Sequence, residues 1–191
     1  MKLKAILLTI AAIAAITSAA LAQSKTGIRS VDFLNRTYAK GCYSGEGRKN
    51  IKVVDGKFAD GDDFLNIDEK VVYGDVNGDG KEDAVVRVNC GNSAGTFRDF
   101  EVDVFTMAGK NVKLLARLGQ PQMETDHKRY YKNGIVFALA EAEPEIEGRT
   151  IEIAAITDGS FASPAYTTTF EYKLAGTKLV LHGKPKRKKN S

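Results

Sequence analysis

The chain has 191 residues, with 28 Lys and Arg, 24 Asp and Glu, two Cys and no Trp, enough for one domain with a proper core. Two of the basic residues, Lys2 and Lys4, open the chain, and five, Lys184, Lys186, Arg187, Lys188 and Lys189, crowd its end. The 21 that remain face 24 acidic residues, so the body is mildly acidic and composition gives no case for a nucleic-acid partner.

The chain begins as a leader. Lys2 and Lys4 precede an apolar run, 5–16, broken only by Thr9, and Ala20-Leu21-Ala22 is an A-x-A cleavage pattern. The run is shorter than the roughly 20 residues a membrane span needs, and no later segment is apolar enough to enter a bilayer. We expect residues 1–22 to be removed, 23–183 to form a single domain in the periplasm or outside the cell, and 184–191 to be a basic disordered tail. In an oxidising compartment the pair Cys42 and Cys90 reads as a disulfide. It would close a loop of about fifty residues, worth roughly 4 kcal/mol in the chain-entropy account. Neither Cys has a CxxC partner or a nearby His to make it a reactive thiol.

Ile28, Val31, Leu34 and Tyr38 recur at helical spacing, which predicts one short N-terminal helix ended before Cys42 by Gly41. Strand signals follow. Asp55-Gly56 is a two-residue hairpin turn between IKVV and KFAD. FRDFEVDVF alternates, with Phe100, Val102 and Val104 on one face and Asp99, Glu101 and Asp103 on the other. If it pairs with VKLLARLG, Lys113 and Arg117 can meet those carboxylates. Asn133-Gly134 predicts a second hairpin, TIEIAAIT is apolar at Ile151, Ile153 and Ala155, and TTTFEYKL-AG-TKLVLHG predicts a last hairpin. The fold class expected is mainly β: an antiparallel sheet, a sandwich or a strongly curved sheet.

One loop carries candidate chemistry. In YGDVNGDGKEDAVV, counting from Asp75, oxygen-bearing side chains fall at positions 1 (Asp75), 3 (Asn77), 5 (Asp79) and 9 (Asp83), with Gly80 at 6 and the Lys81 carbonyl at 7. Calcium takes six to eight oxygens around a tight bend of chain, and a cation relieves the repulsion of crowded carboxylates. Position 12 is Val86 and the flanks are strands, so this is not a helix-loop-helix calcium hand. The other reading is a polar turn that uses Asn, Asp and Gly for their tolerance of positive φ.

Asp75, Asn77, Asp79, Gly80 and Asp83 resemble the single DxDxDGxxD loop of FG-GAP and VCBS-type repeats, in which calcium sits in a strand-loop-strand. Those repeats build propellers, and this chain has one copy, so only the local loop carries over. More broadly the chain resembles a group of small exported bacterial proteins without an assigned activity. The order Tyr and Cys, Asp-Gly hairpin, GDVNGDGKEDAVV, NCGNSAGTF and YKLAGTKLVL carries that resemblance, which implies a fold and no mechanism.

The remaining polar clusters point to bland roles. Asp60, Asp62, Asp63 and Asp68 read as a solvated loop, Glu141, Glu143, Glu145 and Glu147 as a charged strand edge, and His127 and His182 as surface residues. There is no G-x-S-x-G and no HExxH. The basic tail lacks the aromatics that would stack on bases. The expectation is an exported, non-enzymatic binding or envelope-associated domain with a structural calcium, an unknown protein or envelope ligand as partner, no nucleic acid and no membrane span. A hydrolase acting on envelope material through carboxylates is the alternative, and a protein inhibitor presenting the 89–97 loop is a third reading.

Overall fold

The computed structural model describes residues 27–43, 49–95, 98–132, 134–160 and 162–190; the expected leader, 1–22, lies outside them, as does Asn133 of the expected second hairpin. A 3₁₀ turn at Gly27–Ser30 precedes β1 (Thr37–Ala39), β2 (Asn50–Lys52), β3 (Lys57–Asp60), β4 (Asp63–Ile67) and β5 (Val72–Gly74). The long strands β6 (Asp83–Asn92), β7 (Arg98–Ala108) and β8 (Asn111–Gly119) follow, then one helix, α1 (Gln120–Lys128). The chain ends in β9 (Val136–Leu139), β10 (Glu145–Glu147), β11 (Thr150–Ser160), β12 (Ser163–Ala175), β13 (Lys178–Leu181) and β14 (Lys186–Lys189).

The fold is mainly β, and every strand pairing described is antiparallel. One sheet runs β3-β4-β6-β7-β8, with β5 also on β6. The second is built on the long β11-β12 ladder, with β9 and β10 along one side and β13 and β14 along the other. β1 and β2 form a small ribbon of their own. The alternation in FRDFEVDVF sorts β7 as expected: Phe100, Val102 and Val104 meet Ile151, Ile153, Phe170, Tyr172 and Leu179 in the core between the sheets. A second core lies on the opposite face of the first sheet, where Ile28, Phe33, Tyr38, Tyr43, Ile51 and Val53 cover Ala84, Val86, Val88 and Cys90. Strand β6 is therefore buried on both faces, which is why its sequence reads as a nearly continuous apolar run rather than an alternation. Each large apolar side chain buried in these cores contributes about 1.5–3 kcal/mol. The disulfide Cys42–Cys90 joins the N-terminal layer to β6.

Four expectations are corrected. The predicted N-terminal helix, 28–38, is only the 3₁₀ turn followed by β1. The Asp32 side chain accepts hydrogen bonds from the amides of Leu34 (3.0 Å) and Asn35 (3.1 Å), a local bonding that competes with a helix. The apolar set chosen for that helix is nonetheless buried or packed in the second core. Asp55-Gly56 does make the tight turn, with φ 49° and 74°, but only Val54 and Lys57 bridge across it before β2 departs to β1 and β3 to β4. The expected arm before Gly134, residues 129–132, is a turn that follows the helix α1 rather than a strand, and α1 buries Met123, Asp126 and His127. Finally, Lys186–Lys189 of the expected disordered tail pairs with Thr169–Tyr166 of β12. Arg187 is drawn in between the rings of Tyr131 (3.9 Å) and Tyr166 (4.1 Å), and Tyr131 donates to the Pro185 carbonyl (2.6 Å).

Candidate functional site

β5 and β6 pair with Gly74 opposite Asp83, so residues 75–82 connect a hairpin and Asp83 opens its second strand. Gly78 and Gly80 have φ of 77° and 80°, left-handed values that glycine adopts without steric cost. They fold the connection back so that its polar side chains meet its own amides. Asp75 Oδ1 accepts from Gly78 (2.6 Å) and Asp79 (3.1 Å), and its Oδ2 from Gly80 (2.9 Å). Asn77 Oδ1 accepts from the Asp79 amide (2.8 Å), and Asp79 Oδ1 from the Lys81 amide (2.9 Å). Asp83 Oδ2 accepts from the amides of Val76 (3.1 Å) and Asn77 (3.0 Å), and its Oδ1 from Asn77 Nδ2 (3.2 Å).

All five expected ligand residues thus stand on one turn, organised by hydrogen bonds to backbone amides. Among the described residues, no three acidic, His or Cys side chains share a metal-sized centre. The donor set is oxygen throughout, which is the chemistry of a hard cation. A carboxylate has about four acceptor sites, so Asp75 and Asp83, with three donors each, and Asp79, with one, keep capacity for an ion. Asp83 is fully buried and meets no cationic side chain among the described residues. The guanidinium of Arg149 packs over Gly78, but it donates to that residue's carbonyl (3.1 Å) rather than to a carboxylate.

Two other charged clusters are buried. On the face of β7 that meets the N-terminal layer, Asp103 is fully buried and stands opposite Arg117 of β8. Arg117 forks onto it (2.7 and 2.8 Å), lies 3.2 Å from Glu101, and also donates to the Lys40 carbonyl (3.2 Å). This is the cross-strand pairing the alternation predicted for Arg117; Lys113 instead stands opposite Thr106 and is exposed. Burial pushes the Glu101 carboxyl up to about 7, reinforced by the charge of Asp103 and only partly offset by Arg117.

In the second cluster, His127 is fully buried, which corrects the expectation of a surface histidine. Its Nε2 lies 3.3 Å from Asp158 Oδ2, an oxygen that also accepts from Arg187 (2.9 Å). Burial lowers the His127 pKa more than Asp158 raises it. Asp158 adopts a φ of 54°, rare for a residue with a side chain, and its backbone amide donates to the Ile135 carbonyl (3.0 Å). His182 is exposed, as expected. The apolar-spacing signal could not find the His127 cluster, because the buried face of α1 is itself polar.

No family model matches the chain, and no curated protein or solved structure resembles it at a significant level.

Proposed function

We propose that the chain is an exported, non-enzymatic binding domain, periplasmic or secreted, whose 75–83 turn takes up one calcium as a structural ion. The observation that carries the calcium reading is Asp83: a carboxylate out of water, supported by three N–H donors and without a counter-charge among the described residues. An isolated buried charge is costly, and a cation held jointly with Asp75, Asn77, Asp79 and the Lys81 carbonyl would relieve it. Export is supported by the disulfide between the chain's two cysteines, a bond that persists in oxidising compartments. The non-enzymatic reading is supported by the access to the other acidic groups. Glu101 and Asp103 are roofed by the 39–42 segment and His127 has no exposed surface, so neither cluster offers a reacting group to a substrate.

Thermal melts with calcium and with chelator test the proposal. Calcium should raise the Tm of the wild type at concentrations of about 10⁻⁴–10⁻³ M, the range of extracellular sites, and should fail to raise that of Asp79→Ala. Identical wild-type melts in calcium and chelator, or an equal loss from Asp79→Ala in both, would leave the loop a plain polar turn.

A further inference from the structure

A polar cavity of about 460 Å³ opens beside residues 141–143, and the side chain of Arg87 forms part of its wall. Val85, Arg87 and Asn89 project from one face of β6; Val85 enters the inter-sheet core, while the next two line this cavity. Arg87 is only 8% exposed. Its Nη1 donates to the Ala142 carbonyl (3.2 Å). Its Nε, shut off from solvent, lies 3.3 Å from Asp68 Oδ2 in an ion pair that lacks hydrogen-bond alignment, and its Nη2 makes no hydrogen bond among the described residues. A guanidinium carries five N–H donors in a planar fork suited to a carboxylate, and leaving them unmet out of water is costly. Through Nη2 the guanidinium keeps donor capacity for an acceptor brought into the cavity.

The rest of the cavity restricts which acceptor that is. Lys70 is held by Glu143 and Arg87 lies beside Asp68, while Glu69 and Glu141 have no cationic partner among the described residues. A phosphate dianion would suit the fork but would be repelled by this acidic wall. A carboxylate that carries its own ammonium suits both. Asn89 also lines a neighbouring, mostly apolar cavity of about 150 Å³ that reaches Phe64, Phe100 and Phe137.

We infer that Arg87 anchors the carboxylate of a free α-amino acid with a large apolar side chain. The ammonium faces Glu69 and Glu141, and the side chain passes Asn89 toward the phenylalanines. This rests on reading the chain as a binding domain and is independent of the calcium loop.

Calorimetric titration of the oxidised protein tests it, with leucine and phenylalanine as probes. Acetate, phenethylamine and inorganic phosphate serve as controls, and each titration is run with calcium and with chelator. Leucine or phenylalanine should bind at least roughly tenfold more tightly than any control. Glu141→Gln, an exposed substitution, should weaken binding several-fold, and Arg87→Lys by roughly tenfold or more, because an ammonium lacks the fork. Should Arg87→Lys fail to fold, the wild-type Arg87 Nε–H resonance gives the same information by moving on titration. The inference is overturned by the absence of millimolar binding, by phosphate outcompeting the amino acids, or by binding that neither variant nor the resonance registers. A calcium response without an amino-acid response would sink this inference alone; the converse would sink the calcium loop alone.

Discussion

Replacing Glu101 with Gln isolates the pH-dependent contribution of one buried carboxyl. The Glu101 carboxyl is 6% exposed and packs against Gly41, with the Cys42 amide as a hydrogen-bond donor. Its pKa moves from 4.5 to about 7 on folding. Between those values the folded chain binds a proton that the unfolded chain has released. Stability from this group is therefore complete below about pH 4.5 and declines as pH rises toward 7. At about 1.4 kcal/mol for each pH step of displacement, the loss is on the order of 3 kcal/mol. Gln keeps an acceptor for the Cys42 amide and cannot ionise, so Glu101→Gln should remove that decline. Urea unfolding at a series of pH values from 5 to 8, with the slope m checked for constancy, measures it. His127 acts in the opposite sense, since its lowered pKa costs stability as pH falls below 6.5, but it contributes equally to both proteins and cancels in their difference. Parallel stability-pH curves for wild type and Glu101→Gln would refute the reasoning.

Arg117→Leu leaves the fully buried Asp103 without its forked partner and should cost roughly 3–5 kcal/mol in urea unfolding, while Asp103→Leu/Arg117→Leu recovers most of that loss. Reduction should destabilise the wild type by roughly 4 kcal/mol and leave Cys42→Ser/Cys90→Ser unmoved; an equal response in both would remove the bridge from the account. Arg187→Ala removes a cation from beside His127 and frees Asp158 for it, so an NMR titration of the His127 ring should show its pKa rise. An unchanged His127 titration would show that the tail does not reach this cluster in solution.

The strands were legible where polar and apolar side chains alternate, even in β7, whose two faces are both buried. β7 and the β12-β13 hairpin follow the sequence alternation and turn chemistry residue by residue, and Cys42 meets Cys90. The misses share a cause. At 28–38 the spacing of apolar residues marked burial correctly, but the Asp32 side chain takes the amides a helix would use, so the element type was wrong. α1 turns polar residues inward, while β14 stays exposed and lays Arg187 across two rings, and the partners are distant in sequence: Asp158 for His127, Tyr172 for Asp126, Asp158 for Arg187. Such pairings leave no local period to detect. Arg87 did leave a sign, a lone charge inside AVVRVN where an apolar residue would continue the run.

That contrast separates charges that hold the fold from the one that offers binding. Arg117 spends its guanidinium on Asp103, Glu101 and the Lys40 carbonyl, tying the N-terminal layer to the central sheet. Arg187 spends its own on Asp158 and two aromatic rings, tying β14 to the second sheet. Both lie where layers are joined, and both engage groups of this chain. Arg87 is more deeply placed, yet beside its ion pair with Asp68 it makes one hydrogen bond and lines an open polar cavity. A charge buried only to pin layers would be expected to find its acceptors within the fold, as the other two do. An unmet donor alone does not mark a site, since His127 Nδ1 and Arg36 Nη1 are unmet as well. What supports the proposed amino-acid site is that Arg87 also lines an open polar cavity, whereas His127 has no exposed surface.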